Sequence, residues 1–160
     1  MSRLQFVTCV LLMTAVPAAQ AQYGAETNMV TVNVDAITQI GVTGGVVSFD
    51  VTEALAVAGQ NSMTVTNSST QLQWATNSGS QKITVQTSLG TQMFALRLVA
   101  SSPTAGSAAP EVTVSTVAAD LLLNIGRSLG SCSLQYTAEA LASLGTGTDI
   151  HTITFTVTTQ

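Results

Sequence analysis

Apolar and polar residues alternate with a period of two through most of this chain. In the clearest run, Ile150 to Thr159 (IHTITFTVTT), Ile153, Phe155 and Val157 fall on one face and Thr152, Thr154, Thr156 and Thr158 on the other. That period marks a half-buried β-strand. The same rule predicts strands at Val30 to Val34, Met63 to Thr66, Met93 to Ala100, Glu111 to Thr116, Leu121 to Ile125 (Leu121, Leu123 and Ile125 in phase) and Cys132 to Thr137. Two tight hairpins are expected besides. Gly44-Gly45 tolerates the positive φ of a primed turn and would pair Val42 with Val47 and Ile40 with Phe49. A turn at Ser78-Gly79 would pair Trp74 with Ile83 and Leu72 with Val85, making the only tryptophan a core anchor.

Ala100 to Pro110 is expected to be the longest loop, and Thr52 to Asn61 and Ala138 to Asp149 are read as loops despite their Ala-Leu runs. Turn signals recur about every 8 to 12 residues, and no longer period repeats. The fold class this predicts is all-β, an antiparallel Ig-like or pilin-like β-sandwich of roughly 8–10 strands.

The first residues, MSRLQFVTCVLLMTAVPAAQAQ, join one cation (Arg3) to an apolar stretch from Phe6 to Val16 and small residues at Ala19-Gln20-Ala21. This reads as a secretory signal peptide over 1–21, cleaved after Ala21, with a single β-sandwich domain over 22–160. The apolar stretch is shorter than the roughly 20 residues of a membrane-spanning helix. The expected location is secreted, periplasmic or at the cell surface, and the short signal points to a bacterial source. Beyond the signal, Lys82, Arg97 and Arg127 face eight carboxylates. Scattered cations on an acidic chain give no electrostatic footprint for nucleic acid or anionic lipid. The surface must be built largely from Thr, Ser, Gln and Asn. Cys132 alone would survive cleavage, so no internal disulfide is expected, and its alternation with Leu134 and Tyr136 places the thiol on the apolar face.

Few residues suggest chemistry. Gly126-Arg127-Ser128-Leu129-Gly130 matches the G-x-S-x-G nucleophile elbow, and Asp149 and His151 follow in the order of that hydrolase class. The elbow needs a strand, a sharp turn and a helix within a parallel sheet, whereas strand-like alternation flanks this one on both sides. The glycines read more simply as a short hairpin loop. One histidine and one retained cysteine make no zinc set. Asp50, Glu53 and Asp149 near strand ends are oxygen donors of the calcium type, without a calcium-loop pattern. Asn67-Ser68-Ser69 fits the N-glycosylation triplet. The threonine row of the last strand reads as outward polar surface rather than a ligand array. No catalytic, cofactor-binding or metal-ligating residue is nominated, no cofactor is expected, and the chain is not expected to be an enzyme.

The layout resembles small exported bacterial β-sandwich proteins, many of them uncharacterised and some pilin-like or fimbrial. The early strand VTVNV (Val30 to Val34), the glycine turn, the stretch YTAEA from Tyr136 and the closing TITFTVT carry the resemblance. The chain departs from chaperone-usher pilins in lacking a disulfide after cleavage and in ending FTVTTQ, without their penultimate tyrosine; no functional residue is carried over. The resemblance implies a structural or surface-interaction subunit, in which Val30 to Val34 either pairs within its own sheet or completes the sheet of a neighbour. The partners expected are further copies of the chain or another surface protein, with no nucleic acid and no membrane span. An alternative is a carbohydrate-binding or adhesive module, with aromatic residues at Tyr23, Trp74 or Tyr136 on its surface.

Overall fold

The structure, a computed structural model, describes residues 26–160. The described residues fall into two units, 26–33 and Val34–Gln160. Residues 1–21, expected to be a signal peptide, and Tyr23 lie outside the described residues. In the first unit, residues 26–33 form no strand or helix and their side chains are exposed, Val30 at 76% and Val32 at 77%.

The second unit is an all-β sandwich of nine strands: β1 (Thr38–Thr43), β2 (Ser62–Thr76), β3 (Gln81–Thr87), β4 (Ala95–Ser101), β5 (Ser107–Ala108), β6 (Val112–Thr113), β7 (Ala119–Ile125), β8 (Ser128–Leu141) and β9 (Ile153–Thr159). Five form one sheet in the order β1-β2-β8-β4-β6, and four form the other in the order β5-β7-β3-β9. The β-ladders are antiparallel. Leu72, Trp74, Leu98 and Leu134 from the first sheet meet Ile83, Val85, Leu121, Leu122 and Ile125 from the second in one buried cluster. Burying such side chains stabilises a fold by about 1.5–3 kcal/mol each.

Which face of a strand is apolar follows from the alternation, and here the expectation holds: Leu72, Trp74, Ile83 and Val85 are all buried. The expected pairing is overturned. β2 and β3 belong to different sheets, so Trp74 and Ile83 face each other's sheet and are not neighbours on one. Ile40 pairs with Trp74 and Val42 with Leu72, which replaces the hairpin expected at Gly44-Gly45. Both glycines do adopt positive φ, 110° and 73°. Gly44 passes so close to β2 that a Cβ there would lie 2.5 Å from the Ser69 carbonyl oxygen. The chain then leaves the sheet, and Val47 and Phe49 pack on the core without entering a strand.

Other boundaries shift for local reasons. Met63 to Thr66 and the Trp74 segment are one strand, β2, interrupted by a bulge where the register slips between Asn67 and Thr70. The Asn67 side chain accepts hydrogen bonds from the Ser69 amide (2.9 Å) and hydroxyl (2.7 Å) there. The ladder between β3 and β7 slips twice, so Leu121 and Leu122 are both buried and Leu123 is half-buried, against the expected phase of Leu121, Leu123 and Ile125. Glu111 to Thr116 yields only the short β6, because the chain crosses between sheets there. The Val114 amide bonds the Leu96 carbonyl in one sheet, and the Ser115 carbonyl accepts the Thr87 amide in the other. Ala138 to Leu141 continue β8, and Ser107–Ala108 make the short β5, both in regions expected to be loops. Val30 to Val34, expected as a strand, is not one.

Candidate functional site

Three features from the sequence can be placed by geometry. Ser128 pairs with Thr76, beside the connection that leads into Gln81 at the start of β3. His151 contacts Thr87 at the far end of β3, with 3.2 Å between Nδ1 and Oγ1. Six strand steps separate Gln81 from Thr87, about 20 Å. The serine and the histidine of the G-x-S-x-G match therefore lie at opposite ends of the sandwich. Gly126-Arg127 connect β7 in one sheet to β8 in the other, which replaces the expected hairpin loop. Asp149 has a structural role: its Oδ2 accepts the Met93 and Phe94 amides at 2.8 and 2.9 Å, tying two loops together. Burial pushes the His151 imidazole below its ordinary pKa, and the Asp149 charge opposes this.

Other chemistry is equally sparse. Trp74 and Tyr136 are 4% and 6% exposed, so neither offers a ring for a sugar to stack on. Cys132 is buried, and desolvation pushes its thiol up to about 11, away from the thiolate form that nucleophilic or redox chemistry needs. Among the described residues no group of three or more His, Cys, Asp or Glu could hold a metal ion. No helix among them is long and apolar enough to cross a membrane. Lys82 pairs with Asp120 at 2.8 Å, and Arg97 with Glu139 at 2.8 Å, so these cations are engaged by carboxylates.

The most distinctive surface is an edge. Of the four edge strands, β5 and β6 have two residues each and β1 has six, whereas β9 has seven. Sheet edges normally carry charges, prolines or bulges that block further pairing. β9 has none: Ile153-Thr154-Phe155-Thr156-Val157-Thr158-Thr159 is uncharged and pairs with β3 in one unbroken register from Thr87↔Ile153 to Gln81↔Thr159. The hydrogen-bond phase is set at both ends. Ser88 N–H donates to the Thr152 carbonyl (3.1 Å), and Gln160 N–H donates to the Ser80 carbonyl (2.8 Å). Antiparallel ladders alternate, so Thr154, Thr156 and Thr158 bond to β3 while the N–H and C=O groups of Ile153, Phe155, Val157 and Thr159 point away from it. Among the described residues these outward groups have no hydrogen-bond partner.

On the same side the core is least covered. Ile153, Phe155 and Val157 pack against the core but stay half-buried, whereas Ile83 and Val85 on the neighbouring strand are sealed. β1 comes within 8 Å of β9 between Cα atoms without forming a ladder with it, and its Ile40 and Val42 remain 36% and 47% exposed. Alternation in the sequence shows the apolar face of β9; its edge position and outward backbone groups depend on the sheet order. Comparison with protein-family models, with curated proteins and with solved structures returned no match.

Proposed function

We propose that this protein is a structural or surface-interaction subunit that associates with further copies of itself by strand addition. The acceptor is the outer edge of β9, and the donor is the segment Met29 to Val34 of another copy. The observation that carries this reading is the unguarded β9 edge, with outward backbone groups beside a half-covered apolar seam. The donor supplies what the edge lacks. Val30, Val32 and Val34 alternate with Thr31 and Asn33, and the valines are 76%, 77% and 70% exposed. A strand added to β9 shares its pleat, so the three valines would line up with Ile153, Phe155 and Val157, and Thr31 and Asn33 with the threonines. Backbone bonds then supply affinity, and the alternate side chains supply selectivity. Nothing in this role calls for catalysis or a cofactor, and an exported location is where such a subunit would assemble.

Deleting residues 22–34 tests the reading. The shortened chain is expected to keep its melting temperature within a few degrees while its oligomers, seen by analytical ultracentrifugation and electron microscopy, disappear. Unchanged oligomers would exclude the segment as donor, and global unfolding would mean that it completes the sheet of its own molecule.

A further inference from the structure

The segment Asp35 to Ile37 is held against the end of β2 by a single residue, Asn77. Asn77 Nδ2 donates to the Asp35 carbonyl at 2.8 Å, Asn77 Oδ1 accepts the Ile37 amide at 2.7 Å, and the Asn77 amide donates to the Ile37 carbonyl at 3.2 Å. Both ends of the carboxamide are used. Aspartate would lack the donor, and a hydroxyl side chain would lack the span to serve both groups. Ile37 and Asn77 continue the β1–β2 register by one pair beyond Thr38↔Thr76, so the chain reaches β1 already in line with it. At this end of the sandwich β2 turns away toward the other sheet, and β9 finishes, with Gln160 bonded to Ser80. β1 runs away from this end and β9 runs toward it.

We propose that Asn77 is a positioning residue that favours pairing of the preceding segment with another copy over pairing with the β9 edge of its own molecule. This rests on the strand-addition reading above. Held in line with β1, Asp35 to Ile37 carry the chain beyond the end of the β1–β2 ladder. To lie along its own β9 it would have to reverse at Asp35 to Ile37, the residues that the carboxamide holds in place. Releasing the clamp makes that reversal accessible and converts a donor into a self-closed monomer.

The test compares the purified full chain with Asn77→Ala and Asn77→Asp. The alanine variant is expected to need about tenfold more protein to reach the same oligomer fraction, with the aspartate variant in between because it keeps the acceptor. The monomers that accumulate should show Val30 and Val32 amides protected from hydrogen exchange, a change that simple destabilisation would not produce. Fluorescence of the buried Trp74 reports that each variant is folded, and the aspartate variant decides the matter if the alanine variant is not. Assembly of the folded variants within twofold of wild type would overturn the role of Asn77 while leaving strand addition in place. Oligomers that persist without residues 22–34 would instead overturn strand addition, and this role with it.

Discussion

Gly130→Ala is expected to destabilise the sandwich by about 3 kcal/mol and to lower its melting temperature by roughly 10 °C. Gly130 pairs directly with Trp74 across the β2–β8 ladder, and the indole lies in the space that a side chain would take. A Cβ at Gly130 would overlap Trp74 Cζ2 and Cε2 and lie 2.6 Å from Nε1. The ring is 4% exposed and enclosed by the core, so relief requires either an unfavourable rotamer or movement of β8. The backbone at Gly130 has no positive φ, so the effect is one of volume. A thermal melt followed by Trp fluorescence measures it. Adding Trp74→Phe should recover part of the loss, because the smaller ring vacates the contact. A change below about 1 kcal/mol would contradict this packing.

Proline at two adjacent positions of β9 should have opposite consequences. The Thr156 amide faces β3, so Thr156→Pro removes a bond from the inner ladder and is expected to cost about 3 kcal/mol. The Val157 amide points to the open side, where proline is tolerated. Val157→Pro is expected to cost only about 1 kcal/mol, from lost apolar packing, and the domain should stay folded. Its effect falls on association, because the ring blocks the edge against a further strand. Urea unfolding and sedimentation of the two variants separate stability from assembly. Equal destabilisation would mean that the hydrogen-bond phase of β9 is wrong. Oligomers that persist in a folded Val157→Pro chain would mean that the edge is not the acceptor.

Much of the fold is legible in the chain, and what is not has two physical origins. Period-two alternation shows which side of a strand is buried. It is silent on whether two consecutive buried faces lie side by side in one sheet or oppose each other across a core. Trp74 and Ile83 are both buried as the pattern requires, yet they belong to opposite sheets. In fact every connection after β2 crosses from one sheet to the other. A short turn such as Ser78-Gly79 therefore invites a hairpin reading that the topology does not realise. Bulges are the second source of error. Leu121 and Leu122 are buried side by side because β7 carries more residues than the β3 segment it pairs with, and a strict alternation cannot express that. The candidate site was half legible. Its uncharged, regular strand stands out in the sequence, but its edge position and outward amides follow only from long-range pairing. The valines of residues 30–34 carry a strand pattern in the sequence without forming a strand in the structure, and the proposed donor role rests on that mismatch between pattern and state.

The central claim is that the segment around Val32 of one copy lies along β9 of another, and cross-linking in mixed chains tests it most directly. One chain carries Thr31→Cys and the other Thr156→Cys, both with Cys9→Ser, while Cys132 stays buried. Thr31 and the central Thr156 share the outward face of the added strand, where facing Cβ atoms are about 5 Å apart, within reach of a disulfide. Because each chain has only one of the two engineered cysteines, a Thr31–Thr156 bridge can form only between molecules. Under mild oxidation, mixed-chain dimers should form well above either same-chain dimer and above a control pairing Thr31→Cys with Thr148→Cys on an exposed loop. Mixed dimers no more abundant than that control would contradict strand addition at β9.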